Sequence, residues 1–532
     1  MKLTDILAGM PEAQISGAGE VQITGLAYDS RAVEPGTLFV AIQGFHSDGH
    51  AFIEQAIERG AVAIVYQNAE KWTPDGRVPA ALVPNARVAL APLAAAFYGY
   101  PGQAMRVVGI TGTDGKTTTT FLTSVALEAG GFTTGLMGTV DFKIAGRMWA
   151  NDSRQSTPEA PEVQALLHEM VAAGCEYAVI EATSHALSAR WNRLGGCAFD
   201  IAVFTNVTSE HLDFHGTVEQ YRRDKARLFE MLGEPGIRGQ GSGVRSEDPD
   251  PRSLIPDPLR KARKWAIVNA DDPHHRMFLD AAPASAERLT YAVNSSADVR
   301  AYDVRATRDG LRFRVATPWG KAKPRLKLTG DFNVWNTLAA MTVALAEGVP
   351  LEACVAALEQ IPGVRGRMER IDQGQSFTVL VDYAHTPGSF EKLMSIVRPL
   401  TDKKLIAVFG SAGERDREKR PVQGAIAARF CDLLVLTDED PRLEDREAII
   451  AEIAAGAEQA GKREGSGYLR IPDRAQAIRE AFARAAPGDI VLLLGKGHEG
   501  CIIYGNEKTP WDEAGVARAA LAEMGFDERV KG

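Results

Sequence analysis

The chain has little cysteine: five residues in 532, at positions 175, 197, 354, 431 and 501, with no Cys-x-x-Cys pair. An odd, scattered set argues against a disulfide framework and a cysteine zinc site, and it favours a reducing cytosol. Positive charge is not in excess either. Lys and Arg number 60 against 69 Asp and Glu, a formal charge of −9. Nucleic acid is therefore a poor partner, and any anionic ligand has to be met by local basic groups. No apolar run is long enough to span a bilayer. The opening Met1-Lys2-Leu3-Thr4-Asp5 lacks the apolar core of a signal peptide. The expectation is a cytoplasmic protein with no membrane insertion, and its length suggests about three globular domains.

What is present centres on Gly109-Ile110-Thr111-Gly112-Thr113-Asp114-Gly115-Lys116-Thr117-Thr118. A short strand-like run (Arg106, Val107, Val108) precedes it and an apolar helical pattern (Phe121, Leu122, Val125, Ala126, Leu127) follows. Strand, tight glycine turn and helix start aim backbone N–H groups and a helix dipole at one point. A polyphosphate fits there, with Lys116 as a point charge and the Thr117 hydroxyl in reach of a Mg2+ ion. The strict Gly-x4-Gly-Lys-Thr spacing is not met, but Gly-Lys-Thr at a strand-to-helix junction is.

Read in order, residues 1–100 form a smaller α/β unit. Leu38–Ile42 and Ala61–Val65 read as buried strands, with a helix at Phe52–Arg59 between them. The polar segments Asp29-Ser30-Arg31 and Gly44-Phe45-His46-Ser47-Asp48-Gly49-His50 suit an anion or a sugar, but taken alone they read first as ordinary turns. Residues 101–362 alternate strand-like runs (Tyr177–Ile180, Ile201–Phe204, Trp265–Val268) with helices at Glu162–Val171 and Tyr221–Leu232. That predicts a mostly parallel sheet of P-loop type. Gly233–Asp257, rich in Gly, Pro, Ser and charge, reads as a long surface insertion. Residues 363–532 alternate again (Thr378–Val381, Leu405–Phe409, Leu433–Leu436, Ile490–Leu494), which predicts a Rossmann-like domain. The fold class is α/β in three domains.

Chemistry-bearing clusters follow the strand ends, where open α/β sheets place ligands. Glu181-Ala182-Thr183-Ser184-His185 and Asn206-Val207-Thr208-Ser209-Glu210-His211 fall near the phosphate loop. Glu181 and His211 beside a triphosphate suit Mg2+. Lys225 lies on a predicted helix, and spacing alone leaves it in solvent. In the last domain Asp382 in Asp382-Tyr383-Ala384-His385-Thr386-Pro387 is placed to hold a ribose hydroxyl. Arg415, Glu439-Asp440-Pro441-Arg442 and Gly495-Lys496-Gly497-His498-Glu499 offer both signs of charge, as an amino acid requires.

Together these motifs resemble the Mur ligase family over essentially the full length. Thr111–Thr117 resembles its ATP loop, Asn333 and Asn336 its adenine-side segment, and Gly366-Arg367 with Asp382–Pro387 its third-domain signatures. Asp29-Ser30-Arg31, Asp48-Gly49-His50, Lys419-Arg420-Pro421 and Gly495–Glu499 are similar to the subgroup that adds a diamino acid to UDP-N-acetylmuramoyl-L-alanyl-D-glutamate.

The resemblance implies an ATP-dependent, Mg2+-requiring ligase of peptidoglycan synthesis, expected to be monomeric. It implies ATP contacts at Gly112, Thr113, Asp114, Gly115, Lys116, Thr117, Thr118, Asn333, Asn336, Arg367 and Asp382. Ser30, Phe45, His46 and Ser47 would meet the UDP part, and Ser156, Thr157 and Thr183 the muramoyl dipeptide. Thr117, Glu181, His211 and a carbamylated Lys225 would serve the metal, with Lys116, Glu181, His211 and Lys225 as the catalytic set. Arg415, Glu439, Asp440, Pro441, Arg442, Gly495 and Glu499 would hold the diamino acid. Two departures stand out. Glu439-Asp440-Pro441-Arg442 replaces Asp-Asn-Pro-Arg, which keeps diaminopimelate first and brings L-lysine or L-ornithine into play. Trp191 stands where a substrate arginine is expected, with Arg190 and Arg193 on either side and Arg190 taken as the substitute. A folylpolyglutamate-type ligase and a non-catalytic nucleotide-binding scaffold are the alternatives. The Asp29-Ser30-Arg31 segment speaks against the first, and the presence of Lys116, Glu181 and His211 against the second.

Overall fold

A computed structural model describes residues 1–44, 47–153, 155–208, 212–233, 261–307 and 310–526, with the side chains of 212 and 213 excepted. Phe45, His46, His211 and most of the expected insertion lie outside the described residues. The chain divides into two compact units, Met1–Arg300 with Asn336–Cys354, and Ala301–Trp335 with Val355–Gly532.

The first unit holds two sheets. The N-terminal one has five strands: β1 (Gln14–Ser16), β2 (Gly25–Ala27), β3 (Thr37–Val40), β4 (Ala61–Tyr66) and β5 (Ala80–Leu82), in the order β1-β5-β4-β3-β2. Only β1 is antiparallel, against β5. The second sheet is built on β6 (Arg106–Thr111), flanked in parallel by β10 (Tyr177–Glu181) and β11 (Ile201–Phe204). Strands β12 (Trp265–Asn269) and β13 (Glu287–Ala292) extend it in parallel on one side, and β7 (Thr134–Met137) on the other. Every residue of β6, β10, β11 and β12 is buried. Continuous apolar runs are what a parallel sheet covered on both faces requires. An antiparallel edge, β8 (Asp141–Ile144) and β9 (Arg147–Ala150), continues from β7. The sequence reading did not single out that edge. Strand β14 (Val299–Thr307) begins beside β13, with Val299 opposite Tyr291.

In the second unit, β15 (Gly310–Thr317) pairs antiparallel with β16 (Gly320–Ala322) and β17 (Arg325–Leu326). A six-stranded sheet follows: β18 (Glu369–Ile371), β19 (Thr378–Asp382), β20 (Leu405–Phe409), β21 (Leu433–Leu436), β22 (Tyr468–Arg470) and β23 (Ile490–Leu494), in the order β18-β19-β23-β20-β21-β22. It is parallel except at β18. A hairpin of β24 (Cys501–Tyr504) and β25 (Glu507–Pro510) follows. Strands β19, β23, β20 and β21 run parallel, so the loops at their carboxyl ends share one edge, and the order departs from sequence order around β23, the usual place for a ligand. Among the described residues no helix is long and apolar enough to cross a membrane.

Candidate active site

The phosphate loop lies where strand and helix patterns placed it, between β6 and the helix Lys116–Glu128. Gly112 and Gly115 both have positive φ, 152° and 81°. A β-carbon on Gly112 would fall 1.9 Å from Thr205 Oγ1, and one on Gly115 2.2 Å from Asn336 Oδ1. Only glycine fits at either place. The loop is pinned by the segment after β11. Asn206 accepts from Thr113 N–H (2.8 Å) through its carbonyl and from Asp114 N–H (3.0 Å) through Oδ1. Thr205 Oγ1 donates to Asp114 O at 2.7 Å. The first-turn N–H groups from Lys116 onward have no intrahelical acceptor and are free for an anion. Lys116 Nζ donates back to Gly112 O (3.0 Å) and Thr113 O (2.8 Å), so its ammonium lies over the loop.

Glu181, at the end of β10, is buried. Its Oε2 accepts from Thr117 Oγ1 and from Thr139 N–H, both at 3.0 Å. A helix-start hydroxyl and a carboxylate are hard oxygen donors of the kind Mg2+ takes. The residues present fit that ion, although among the described residues no three His, Cys, Asp or Glu side chains form a metal cluster. Lys225 is not solvated as spacing alone suggested. It is 1% exposed, donates to Gly112 O at 2.6 Å and lies 4.5 Å from the Tyr221 ring centroid. Tyr221 in turn shares a hydrogen bond with Thr113 Oγ1 at 3.1 Å. Lys225 thus reaches the same loop as Lys116, from the helix Val218–Glu230.

Thr157 and Thr183 come together at 3.2 Å, and Thr157 Oγ1 donates to Glu181 O at 2.7 Å, with Ser156 half-buried beside them. Arg190 is exposed, with its guanidinium 5.5 Å from the Phe214 ring centroid. Arg193 instead donates to Thr157 O (3.1 Å) and pairs with Glu159 (2.7 Å). Sequence spacing does not reveal this, because Trp191 and Asn192 intervene and the chain turns, with Asn192 at φ 48°. Beside the N-terminal sheet Ser30, in the short 3-10 turn Ser30–Ala32, is buried and donates to Gln55 Oε1 at 2.9 Å, whereas Ser47 is exposed. Asn336 faces the loop, and Thr119 Oγ1 donates to its Oδ1 at 3.3 Å.

In the second unit Asn333 Nδ2 donates to Thr329 O at 2.7 Å. Asp382 ends β19 and accepts from Met368 and Ala384 N–H, both at 2.8 Å. Burial pushes its carboxyl above the ordinary range. Arg367 lies over Tyr383, 5.0 Å from the ring centroid. His498 is held down to about 3 by burial and by Arg367, so its ring is neutral. Asp440 follows β21 and is tied to Lys496 Nζ (2.9 Å) and Ile503 N–H (3.0 Å). Lys496 is fully buried and also donates to Glu499 at 2.6 Å, a clamp that sequence spacing does not reveal. Glu439 is 6% exposed, and its Oε2 has no hydrogen-bond partner among the described residues. Desolvation pushes it up to about 7. Gly495 passes so close that a β-carbon there would lie 2.8 Å from that oxygen. Pro441 is buried, and Gly413 N–H donates to Asp440 O at 2.8 Å. Arg442 is half-buried at φ 55°, and Arg415 is exposed with no polar partner among the described residues.

Comparison with known proteins identifies the family. The Mur ligase family catalytic-domain model matches residues 22–98, the Mur ligase middle-domain model residues 110–238 and 254–344, and the Mur ligase glutamate ligase domain model residues 366–497. A UDP-N-acetylmuramyl-tripeptide synthetase of Roseiflexus sp. (strain RS-1) is 72% identical over 99% of this chain and 100% of its own. A UDP-N-acetylmuramoyl-L-alanyl-D-glutamate--2,6-diaminopimelate ligase of Geobacillus kaustophilus (strain HTA426) is 40% identical over the same shares. A solved structure of a ligase with that same name superposes with TM-score 0.67 at 28% identity, over 99% of both chains. The chain belongs to the Mur ligase family and is an ATP-dependent ligase of peptidoglycan precursor synthesis.

Proposed function

We propose that the protein joins a diamino acid to the D-glutamate of UDP-N-acetylmuramoyl-L-alanyl-D-glutamate, as a cytoplasmic monomer using ATP and Mg2+. The observation that carries the reading is the convergence of Lys116, Thr117, Glu181 and Lys225 on one loop. A free carboxylate resists amines because oxide is a poor leaving group. A side-chain carboxylate oxygen attacks the γ-phosphorus of ATP, the bond to the β,γ-bridging oxygen breaks, and ADP leaves with that electron pair, which gives an acyl phosphate. The amine then forms the C–N bond through a tetrahedral intermediate, and phosphate departs with the C–O bonding pair.

Lys116 and the first-turn N–H groups stabilise charge on the transferring group. Thr117, Glu181 and Lys225, together with His211 outside the described residues, would hold Mg2+, which adds charge neutralisation at the phosphates. Addition of CO2 to the deprotonated Lys225 amine, with loss of one proton, would give a carbamate suited to that role, and 13C NMR of the native protein in 13C-bicarbonate checks for it. Thr157 and Thr183 would hold the dipeptide.

For the amino acid, Arg442 offers a guanidinium to a second carboxylate, which supports 2,6-diaminopimelate, and so does the name of the 40%-identical relative. A second reading, L-lysine or L-ornithine, rests on Asp440 standing in place of a neutral amide, with Glu439 Oε2 lacking a hydrogen-bond partner among the described residues. The test is phosphate release by purified protein with ATP, Mg2+, the nucleotide dipeptide and each diamino acid in turn. Silence with all of them refutes the ligase reading of the substrate.

A further inference from the structure

Three side chains that the mechanism does not use form a chain through the first unit. His215 Nδ1 lies 2.6 Å from Asp224 Oδ2, and His215 Nε2 lies 3.0 Å from Ser184 Oγ. Ser184, His215 and Asp224 are 3%, 7% and 7% exposed. The second oxygen of Asp224 is held by Gln220 Nε2 at 3.0 Å. A carboxylate only accepts, so Nδ1 carries the ring hydrogen. In the neutral ring Nε2 is then an acceptor and the Ser184 hydroxyl donates to it. The order of donors is fixed from one end.

Each end of this chain is attached to the site. Asp224 precedes Lys225, which donates to Gly112 O of the phosphate loop at 2.6 Å. Ser184 opens the short helix Ser184–Leu187 directly after Thr183, which touches Thr157 at 3.2 Å. We propose that Asp224, His215 and Ser184 are positioning residues, a hydrogen-bond relay that fixes the Thr157–Thr183 seat of the acceptor carboxylate relative to the helix bearing Lys225. The substrate part of this inference rests on the function proposed above, whereas the relay itself does not.

Asp224→Asn keeps the shape and can reverse the order, because an amide can donate to Nδ1. The ring hydrogen then moves to Nε2 and Ser184 becomes the acceptor. The experiment uses the full chain labelled with 15N-histidine, with the His215 signals identified by their loss in His215→Gln. The unmutated protein and Ser184→Ala are expected to show the hydrogen on Nδ1, and Asp224→Asn to show it on Nε2. An unchanged ring in Asp224→Asn, or a hydrogen on Nε2 in the unmutated protein, overturns the relay whether or not ligase activity is found.

Kinetics then test its purpose. Asp224→Asn and Ser184→Ala are each expected to raise KM for the nucleotide dipeptide about tenfold, with KM for ATP and the melting temperature unchanged. The double variant is expected to be no worse than either single one, and Ser184→Thr to restore the KM. Additive losses, or a fall in melting temperature that parallels the loss of activity, would show a structural role only.

Discussion

The two ends of the middle sheet carry similar residues and use them differently. At the amino end, Arg106 begins β6, Tyr177 begins β10 and Trp265 begins β12, and all three donate to the buried carboxylate of Glu347 (2.6–3.1 Å). Asp200 beside them pairs with Lys261 and Lys264. Lys261 makes four hydrogen bonds there. Every one of these charges meets an opposite charge. At the carboxyl end Lys116 donates to carbonyl oxygens, and Glu181 is held by a hydroxyl and an N–H. Neutral partners satisfy a buried charge geometrically and leave most of its field uncancelled. Saturated charges hold the sheet together, whereas the field left at the carboxyl end suits a charged ligand.

The sharpest way to break this contrast is to empty the amino end. Glu347→Ala leaves Arg106 buried without its bidentate partner, and an unfolding midpoint in urea should report a loss of about 3–5 kcal/mol. Turnover per folded molecule should hardly change. At the other end Lys116→Ala should do the reverse, lowering turnover about 10²–10³-fold with the midpoint unmoved. If Lys116→Ala destabilised as much as Glu347→Ala, the contrast would collapse.

The second unit offers a graded case in Glu439, a carboxyl whose burial raises it to about 7. Its folded value lies above its ordinary 4.5, so the folded state binds the proton more tightly. Stability is unaffected below about pH 4.5, falls as pH rises toward 7, and levels off above that. The interval corresponds to about 3 kcal/mol. Glu439→Gln should therefore be more stable than the unmutated chain at pH 8 and comparable to it at pH 4, and denaturation at the two pH values compares them. An equal gap at both would mean the carboxyl is not held protonated. The smallest effect separates the two arginines. Arg193→Ala should cost about 1–3 kcal/mol, because it frees Thr157 O and Glu159, whereas Arg190→Ala should stay within about 0.5 kcal/mol. KM for the nucleotide dipeptide is expected to rise in Arg193→Ala only.

The sequence by itself determined the α/β class, most of the parallel strands, the phosphate loop and the family. Those features are local: apolar runs of strand length, a glycine turn before a helix, and motifs at fixed spacing. Even Glu181 was legible, because it closes a strand beside the loop strand. The tertiary structure decided which polar groups meet. The burial of Lys225 on Gly112, the contact of Arg193 with Thr157, the Lys496 clamp and the Ser184–His215–Asp224 chain join residues whose separation in sequence says nothing about their distance. Whether a lysine lies in water or under a loop depends on which helix face packs against the sheet. That is set by the burial of the whole helix, and no single residue carries the information.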